Sequence, residues 1–500
     1  MSGGFRSRSR SGDHLPVRSE KKQSTNRSRQ PKRSSQSDPR WKPLRGIDLP
    51  RSVAFWVIQR VEIDAAYANL TLPKVLKQSK LSGRDAAFAT ELTYGTLRTQ
   101  GVLDTVIAEC SSRELEALKP EVRAALRLGA YQLLYTRVGA HAAVDTTVRI
   151  MEAIGQDRAK GFVNGVLRTI SRTSPQSWIE KLTPSGEVES IAFQHAHPAW
   201  IARSFSQIVG MNELEAALSA DSERPKVHLV ARPGEMSAEE LALIVGGDEG
   251  KYSPYAVYLE SGDPGALEPV REGLAAVQDE GSQLIARAVT EAPIHGEDQG
   301  KWLDLCAGPG GKAALLGAIA RIDGATVDAV EVSKHRAKLI ENIVRGLPVK
   351  VTVGDGRSPG LAPGYDRVLV DAPCSGLGAL RRRPEARWRK QETDIEELTK
   401  LQSQLLESAL RLVRTGGIVV YSTCSPDLRE TRQIVDRILR SHEVEELNAA
   451  ELVPSMENTG EYKSVHMWPH RHGTDAMFFA VLRKKITRWG SVASSLWFPR

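Results

Sequence analysis

The chain has 500 residues, 41% of them hydrophobic, with four cysteines and a formal net charge of +7. Four cysteines are too few for a disulfide framework, and Cys110, Cys306, Cys374 and Cys424 show neither C-x-x-C pairing nor close histidine partners, so a reducing, cytoplasmic setting without a metal site is expected. No leader-like apolar stretch opens the chain and no run approaches the ~18 apolar residues of a membrane span, so no membrane partner is expected.

Residues 1–50 carry 13 of the 68 Lys and Arg residues but only 4 of the 61 Asp and Glu. This segment also lacks the apolar residues needed to offset the entropy of ordering it, and reads as a disordered basic arm. Such an arm suits phosphate contacts without sequence preference, or solubility alone. Residues 51–173 read as a compact all-α domain of five or more helices. Within "EVRAALRLGAYQLLY", Val122, Leu126, Gly129 and Leu133 fall on one helical face. Residues 174–285 read as a small mixed α/β connector, with a helix near "PAWIARSFSQIVG" and a possible strand in "PKVHLVARPG" that leads into a turn.

From residue 286 to 485 the pattern changes. "KWLDLCAG", "ATVDAVEVS", "VKVTVGDG", "YDRVLVDAP", "GGIVVYSTC" and "AMFFAVL" are short apolar runs separated by helical stretches, with Ser333 placed to cap one of them. Strands alternating with helices predict a doubly wound, Rossmann-like α/β domain, its parallel sheet covered on both faces. Residues 486–500 form a tail without a recognisable pattern.

In such a sheet, ligands bind beyond the carboxyl ends of the strands. "DLCAGPGGK" places a Gly-Pro-Gly-Gly turn between a strand and a helix, where a ligand can approach the backbone and the helix N-terminus offers free N–H groups. Glu331, 27 residues after Asp304, ends the next predicted strand, where an acidic side chain suits ribose hydroxyls. Asp355 follows the third strand and Asp371 ends the fourth. A nucleoside with a zwitterionic amino-acid tail fits, and S-adenosyl-L-methionine is that molecule. One glycine turn alone could be structural; acidic residues at three further strand ends argue otherwise. Cys374 and Cys424 follow the fourth and fifth strands, and a buried cysteine is ordinarily a small hydrophobe. Two beside a cofactor turn suggest methylation of a pyrimidine at C5, which needs a thiolate to add at C6.

"DLCAGPGGK", "DAPCSGLGALRRRPEARW" and "YSTCS" resemble the signature motifs of the Nop/Sun family of RNA cytosine-C5 methyltransferases. "QDEGSQLIARAV", residues 278–289, resembles that family's opening segment. "RDAAFATELTYGTLR", "LRLGAYQLLYTRVGAHAAVDTTV" and "GFVNGVLR" resemble a NusB-type RNA-binding domain. The combination resembles the bacterial branch acting on small-subunit rRNA, and the likeness covers roughly residues 51–485. It implies that Cys424 is the nucleophile and that Cys374 helps release the product; DNA cytosine methyltransferases use the cysteine of their Pro-Cys motif instead. It also implies that Cys306, Ala307, Gly308, Pro309, Gly310, Gly311 and Lys312 cradle the methionine end of the cofactor. Glu331 would hold the ribose, Asp355 the adenine end, and Asp371 would lie between cofactor and cytosine. Gly308 and Ala313 stand where the family more often has Ala and Thr, and "TDAMFFA" departs from the usual Asp-Gly-Phe-Phe.

"LRRRPEARWRK" has six basic residues in eleven, with Trp388 among them. It could grip an RNA backbone and stack on a splayed base, or form a solvated loop. The target cytosine should be single-stranded or flipped, because a paired base hides C6. The partner expected is therefore RNA, in particular 16S rRNA. The alternatives are a tRNA cytosine-C5 methyltransferase and a non-catalytic assembly or antitermination factor. A nicotinamide dehydrogenase lacks support, since no G-x-G-x-x-G turn is present.

Overall fold

The computed structural model describes residues 41–486; most of the basic arm, and the tail from 487 onward, lie outside the described residues. Regular structure begins two residues inside the segment assigned to the arm. Helix Leu49–Asp64 starts there because Asp48 accepts a hydrogen bond from the Arg51 N–H and Pro50 sits in the first turn.

Seven α-helices run from Leu49–Asp64 to Lys160–Ile170. Helix Pro120–Tyr135 lies at their centre, packed against helices Leu49–Asp64, Gly83–Arg98, Gln100–Cys110, Ala140–Ala153 and Lys160–Ile170. Of the predicted face, Val122, Leu126 and Gly129 are buried and Leu133 is half-buried, but every residue from Ala124 to Gln132 is buried too, because neighbours cover the middle of this helix on all sides. Its one buried cation, Arg127, is matched by Asp104 at 2.6 and 2.8 Å and Glu62 at 2.7 Å.

Four further helices lie between Pro175 and Ser222, and then a four-stranded antiparallel sheet forms. The apolar run around Leu241 becomes helix Ala238–Val245, fixed by a capping box between Ser237 and Glu240. Helix Glu280–Glu291 follows, capped by Asp279, and passes without a break through the boundary expected at 285.

The C-terminal α/β domain has seven main strands: β1 (Lys301–Asp304), β2 (Thr326–Glu331), β3 (Val349–Val353), β4 (Tyr365–Asp371), β5 (Val413–Thr423), β6 (Val444–Leu447) and β7 (Phe478–Lys484). Their order is β6-β7-β5-β4-β1-β2-β3. The first five are parallel to one another, as expected; β7 runs antiparallel to β5, and β6 antiparallel to β7. Alternate side chains serve opposite faces, Leu369 in one core and Val368 and Val370 in the other. The chain winds outward from β1 to β3 and then returns to β4 on the other side of β1. That reversal opens a crevice at the carboxyl ends of β1 and β4.

The segment 380–390 differs from both expectations for it, being neither a free RNA grip nor a solvated loop. It packs against the N-terminal helices. Glu385 accepts from the Ala68 N–H at 3.1 Å, at the start of helix Ala68–Ser79, which has no side-chain cap of its own. Arg389 donates to Val61 O at 2.6 Å, Ala66 O at 3.0 Å and Ala65 O at 3.1 Å, at the end of helix Leu49–Asp64. An acid at a helix start and a base at a helix end each match the local dipole. Trp388 donates to Leu97 O at 2.8 Å and lies so close to Gly101 that a Cβ there would come within 2.3 Å of the indole. Arg387, fully buried, donates to Ala196 O at 2.9 Å and faces the Asp221 carboxylate at 3.3 Å. Basic composition predicted solvent, but these cations have backbone carbonyls and a carboxylate to neutralise them. Among the described residues no helix is long and apolar enough to cross a membrane.

Arg387→Met should leave the buried Asp221 carboxylate with only His197 and the Arg381 N–H as partners, without its guanidinium, and lower stability by about 3 kcal/mol. A drop in the urea unfolding midpoint would report it.

Candidate active site

The strand ends converge as the sequence predicts. β1 stops at Asp304, β2 at Glu331 and β4 at Asp371, Asp355 follows β3 by two residues, and Cys424 follows β5 directly. Beyond β1 the backbone still pairs on both sides, Leu305 N with Leu369 O and Ala307 N with Val330 O, each at 2.9 Å. The Gly-Pro-Gly-Gly turn is thus held between β4 and β2. A Cβ on Gly308 would lie 2.0 Å from Glu331 Oε2, so with glycine here the turn approaches that carboxylate closely, and an alanine would need the Glu331 side chain to shift. Gly311 opens helix Gly311–Asp323, and a Cβ there would meet nothing nearer than Gln278 at 3.7 Å. Gln278 is thus the side chain that faces the first turn of that helix, where free N–H groups lie.

Glu331 Oε1 accepts from Ser333 N at 2.7 Å and from Arg336 at 2.8 and 3.0 Å. Asp355 is bonded within its own loop, to Arg357 at 2.6 Å, which lowers its pKa. Lys312 does not stay within the turn. Its Nζ reaches Asp371 Oδ2 at 2.8 Å, and Ser422 donates to the other oxygen at 3.0 Å.

Asp304 is buried beneath the turn, where it accepts a single bond from Cys306 N at 3.3 Å, and its Oδ2 has no partner among the described residues. Burial, and then the nearby Asp371 carboxylate, push its pKa up to about 7. The Cys306 thiol is raised well above its usual value by burial and by Asp304, Asp371 and Glu331 together, so it stays neutral. Gln278 Oε1 is also buried beside Gly311 without a partner among the described residues. Carboxylates gathered around a glycine turn, with two unused acceptors, fit a small ligand that carries positive charge and N–H donors. Among the described residues no group of three or more His, Cys, Asp or Glu could hold a metal ion.

β4 and β5 run in parallel register, Asp371 opposite Ser422, and so bring the two thiols out together. Cys374 Sγ and Cys424 Sγ are 3.4 Å apart. The hydrogen bond from Cys374 lowers the pKa of Cys424, with Lys312 and Arg383 acting in the same direction against burial and Asp371. The same bond, burial and the Glu430 carboxylate raise Cys374. With that bond directed from Cys374 to Cys424, the Cys424 thiol is the one lowered and the Cys374 thiol the one raised.

A sequence model described as 16S rRNA methyltransferase RsmB/F matches residues 292–483, and a NusB family model matches residues 49–172. A Mycobacterium tuberculosis chain described as a methyltransferase, with no substrate in its name, is 55% identical over 453 residues, covering 89% of this chain and 98% of the relative. Ribosomal RNA small subunit methyltransferase B of Citrobacter koseri is 33% identical over 446 residues, covering 87% of this chain and 99% of the relative. The chain belongs to the RsmB/F family of methyltransferases. The crystal structure of PH0851 has the same fold, with a TM-score of 0.75 at 24% identity, covering 87% of this chain and 99% of that one.

Two contributors to the site of this RsmB/F methyltransferase went unassigned in the sequence. Ser422 is a lone serine inside an apolar strand, and nothing in its neighbours marks the bond to Asp371. Gln278 lies in a segment recognisable only by resemblance, and its approach to Gly311 depends on the fold.

Iodoacetamide should alkylate Cys424 before Cys374, with a pH profile displaced below that of an ordinary thiol. Cys374→Ala removes the donor that stabilises the Cys424 thiolate, so the Cys424 pKa should rise and its labelling at pH ~7.5 should slow. Peptide mass spectrometry of timed samples measures both.

Proposed function

We propose that this protein transfers a methyl group from S-adenosylmethionine to C5 of a cytosine in small-subunit (16S) rRNA, with Cys424 as the nucleophile. The observation that carries the reading is the pair of thiols 3.4 Å apart at adjacent strand ends beside the glycine turn. A cytosine C5 is a poor nucleophile. The Cys424 thiolate forms a bond to C6, and the former C5=C6 electron pair becomes available at C5. When bound, S-adenosylmethionine supplies the electrophilic methyl group. The C5 proton then passes to water, the C5=C6 bond re-forms, and the S–C6 bond breaks to return Cys424 as a thiolate. The S–H of Cys374 is suited to stabilise that sulfur when it attacks and when it leaves. Asp371, anchored by Lys312 and Ser422, is assigned to bond the cytosine ring.

The residues present fit the cofactor. Cys306, Ala307, Gly308, Pro309, Gly310, Gly311 and Lys312 would line its methionine end, with Asp304 Oδ2 and Gln278 Oε1 as acceptors for the ammonium. Glu331 would hold the ribose, and Asp355 would take the adenine end. The choice of substrate is supported by the helical NusB-like region and by the names of the relatives. A cytosine must leave its stack to expose C6 to a thiol set at the end of a strand.

With methyl-labelled S-adenosylmethionine and unmodified 16S rRNA, wild type should produce 5-methylcytidine. Cys424→Ala should abolish both transfer and denaturation-resistant protein–RNA adducts, whereas Cys374→Ala should accumulate adducts. The opposite pattern would reverse the roles of the two thiols. Loss of transfer by wild type on every RNA tried would remove the catalytic reading.

A second outcome follows from Asp304, whose carboxyl titrates at about 7. A cation bound beside it favours the ionised form. Affinity for S-adenosylmethionine should therefore rise as pH climbs through about 7, and fall by up to tenfold per unit below it. Calorimetry between pH ~6 and ~8 tests this, and Asp304→Asn should flatten the profile.

A further inference from the structure

Glu430 lies six positions after Cys424, just before helix Arg432–Ser441. Its side chain is fully buried, yet its hydrogen-bond partners are all neutral. Oε1 accepts from Ser375 N at 2.8 Å and Gln402 Nε2 at 3.0 Å, and Oε2 accepts from the Ser375 hydroxyl. Its own carbonyl is held by the Tyr421 hydroxyl at 2.6 Å. A carboxylate enclosed with neutral donors alone is costly to bury, and such groups cluster where the charge is used.

The partners of Glu430 show what the charge acts on. Ser375 directly follows Cys374, Ser425 directly follows Cys424, and their hydroxyls are 3.0 Å apart. Gln402 also donates to Pro373 O at 3.0 Å, on the other side of Cys374. Gly378 N donates to Cys424 O at 2.9 Å, which closes the link between the two loops.

We infer that Glu430 is the positioning residue of the thiol pair: it clamps the two cysteine loops through their serines and biases the shared proton onto Cys374, leaving Cys424 as the sulfur that ionises. The surrounding charges agree. Cys424 and then Glu430 both raise Cys374. On Cys424, Lys312 and Arg383 act to lower the pKa and Asp371 opposes them. A negative group behind one sulfur and two cations near the other give the pair a direction. This deepens the methyl-transfer reading and rests on its use of the two thiols.

The test uses the reduced full-length protein without RNA or cofactor. Initial rates of iodoacetamide labelling at Cys424 and Cys374 are compared at pH ~7.5. Glu430→Gln keeps the size and the acceptor oxygen but removes the charge. The ratio of Cys424 to Cys374 labelling should fall about tenfold, the change that one pKa unit at Cys374 would produce. Ser375→Ala removes the bridging hydroxyl and leaves the charge, so labelling should stay on Cys424. An unchanged ratio in folded Glu430→Gln, or a shift to Cys374 in Ser375→Ala, overturns the inference. If the glutamine variant fails to fold by circular dichroism, a shift of labelling to Cys374 in Ser375→Ala still overturns the inference. In the methyl-transfer assay, Glu430→Gln should lower kcat and leave the KM for S-adenosylmethionine unchanged. Because labelling needs neither substrate, failure of the ratio and failure of methyl transfer are separate results.

Discussion

The site depends on two parallel strands ending in step. Asp371 on β4 stands opposite Ser422 on β5, and from that register follow the bond between them, the reach of Lys312, and the meeting of Cys374 and Cys424. A slip of one residue would turn every side chain of a strand to the other face. The slip is opposed by burial, since Val368 and Val370 fill one core while Leu369 fills the other. The register that brings the two loops together is therefore held by ordinary hydrophobic packing some distance from any reacting atom.

The loop that follows Cys374 is tied down by a second device, a set of buried ion pairs. Asp279 accepts from Arg382 at 2.9 Å and from Asp475 N at 3.1 Å, while Asp475 accepts from Arg381 at 2.7 Å and Arg382 at 2.9 Å. Against the effect of burial, His228 and these arginines hold the Asp279 carboxyl well below the usual range. Such networks are strongly destabilised when one member is removed. Asp475, in the stretch that departs from the family's usual pattern, serves here as an anchor for the 380–382 turn. Asp279 joins that turn to the small connector sheet through His228, so three separate parts of the chain share one electrostatic knot.

Much of the α/β domain was legible because its strands and helices have distinct periods and lengths: six apolar runs became β1 to β5 and β7, and Ser333 caps its helix as read. Short pieces such as β6, and the helix around Leu241, were not, since four to eight residues carry no clear period. The glycine turn and the strand-end acids were visible as motif and spacing. Their wiring was not: Lys312 pairs with Asp371 rather than remaining in the turn, and Glu331 is already bonded to Arg336. The segment around Trp388 was misread because composition reports charge but not what the fold places beside it. Helix ends supply carbonyls and N–H groups that no side-chain pattern announces.

The packing of that segment has a consequence for the parts of the chain it joins. Arg389 and Trp388 join the N-terminal helices to the stretch that begins at Cys374, with Glu385 on a third helix end. Three helix ends are thereby hydrogen-bonded to one short stretch, so a change at Glu385, Trp388 or Arg389 bears on the N-terminal helices and on the cysteine-bearing loop together.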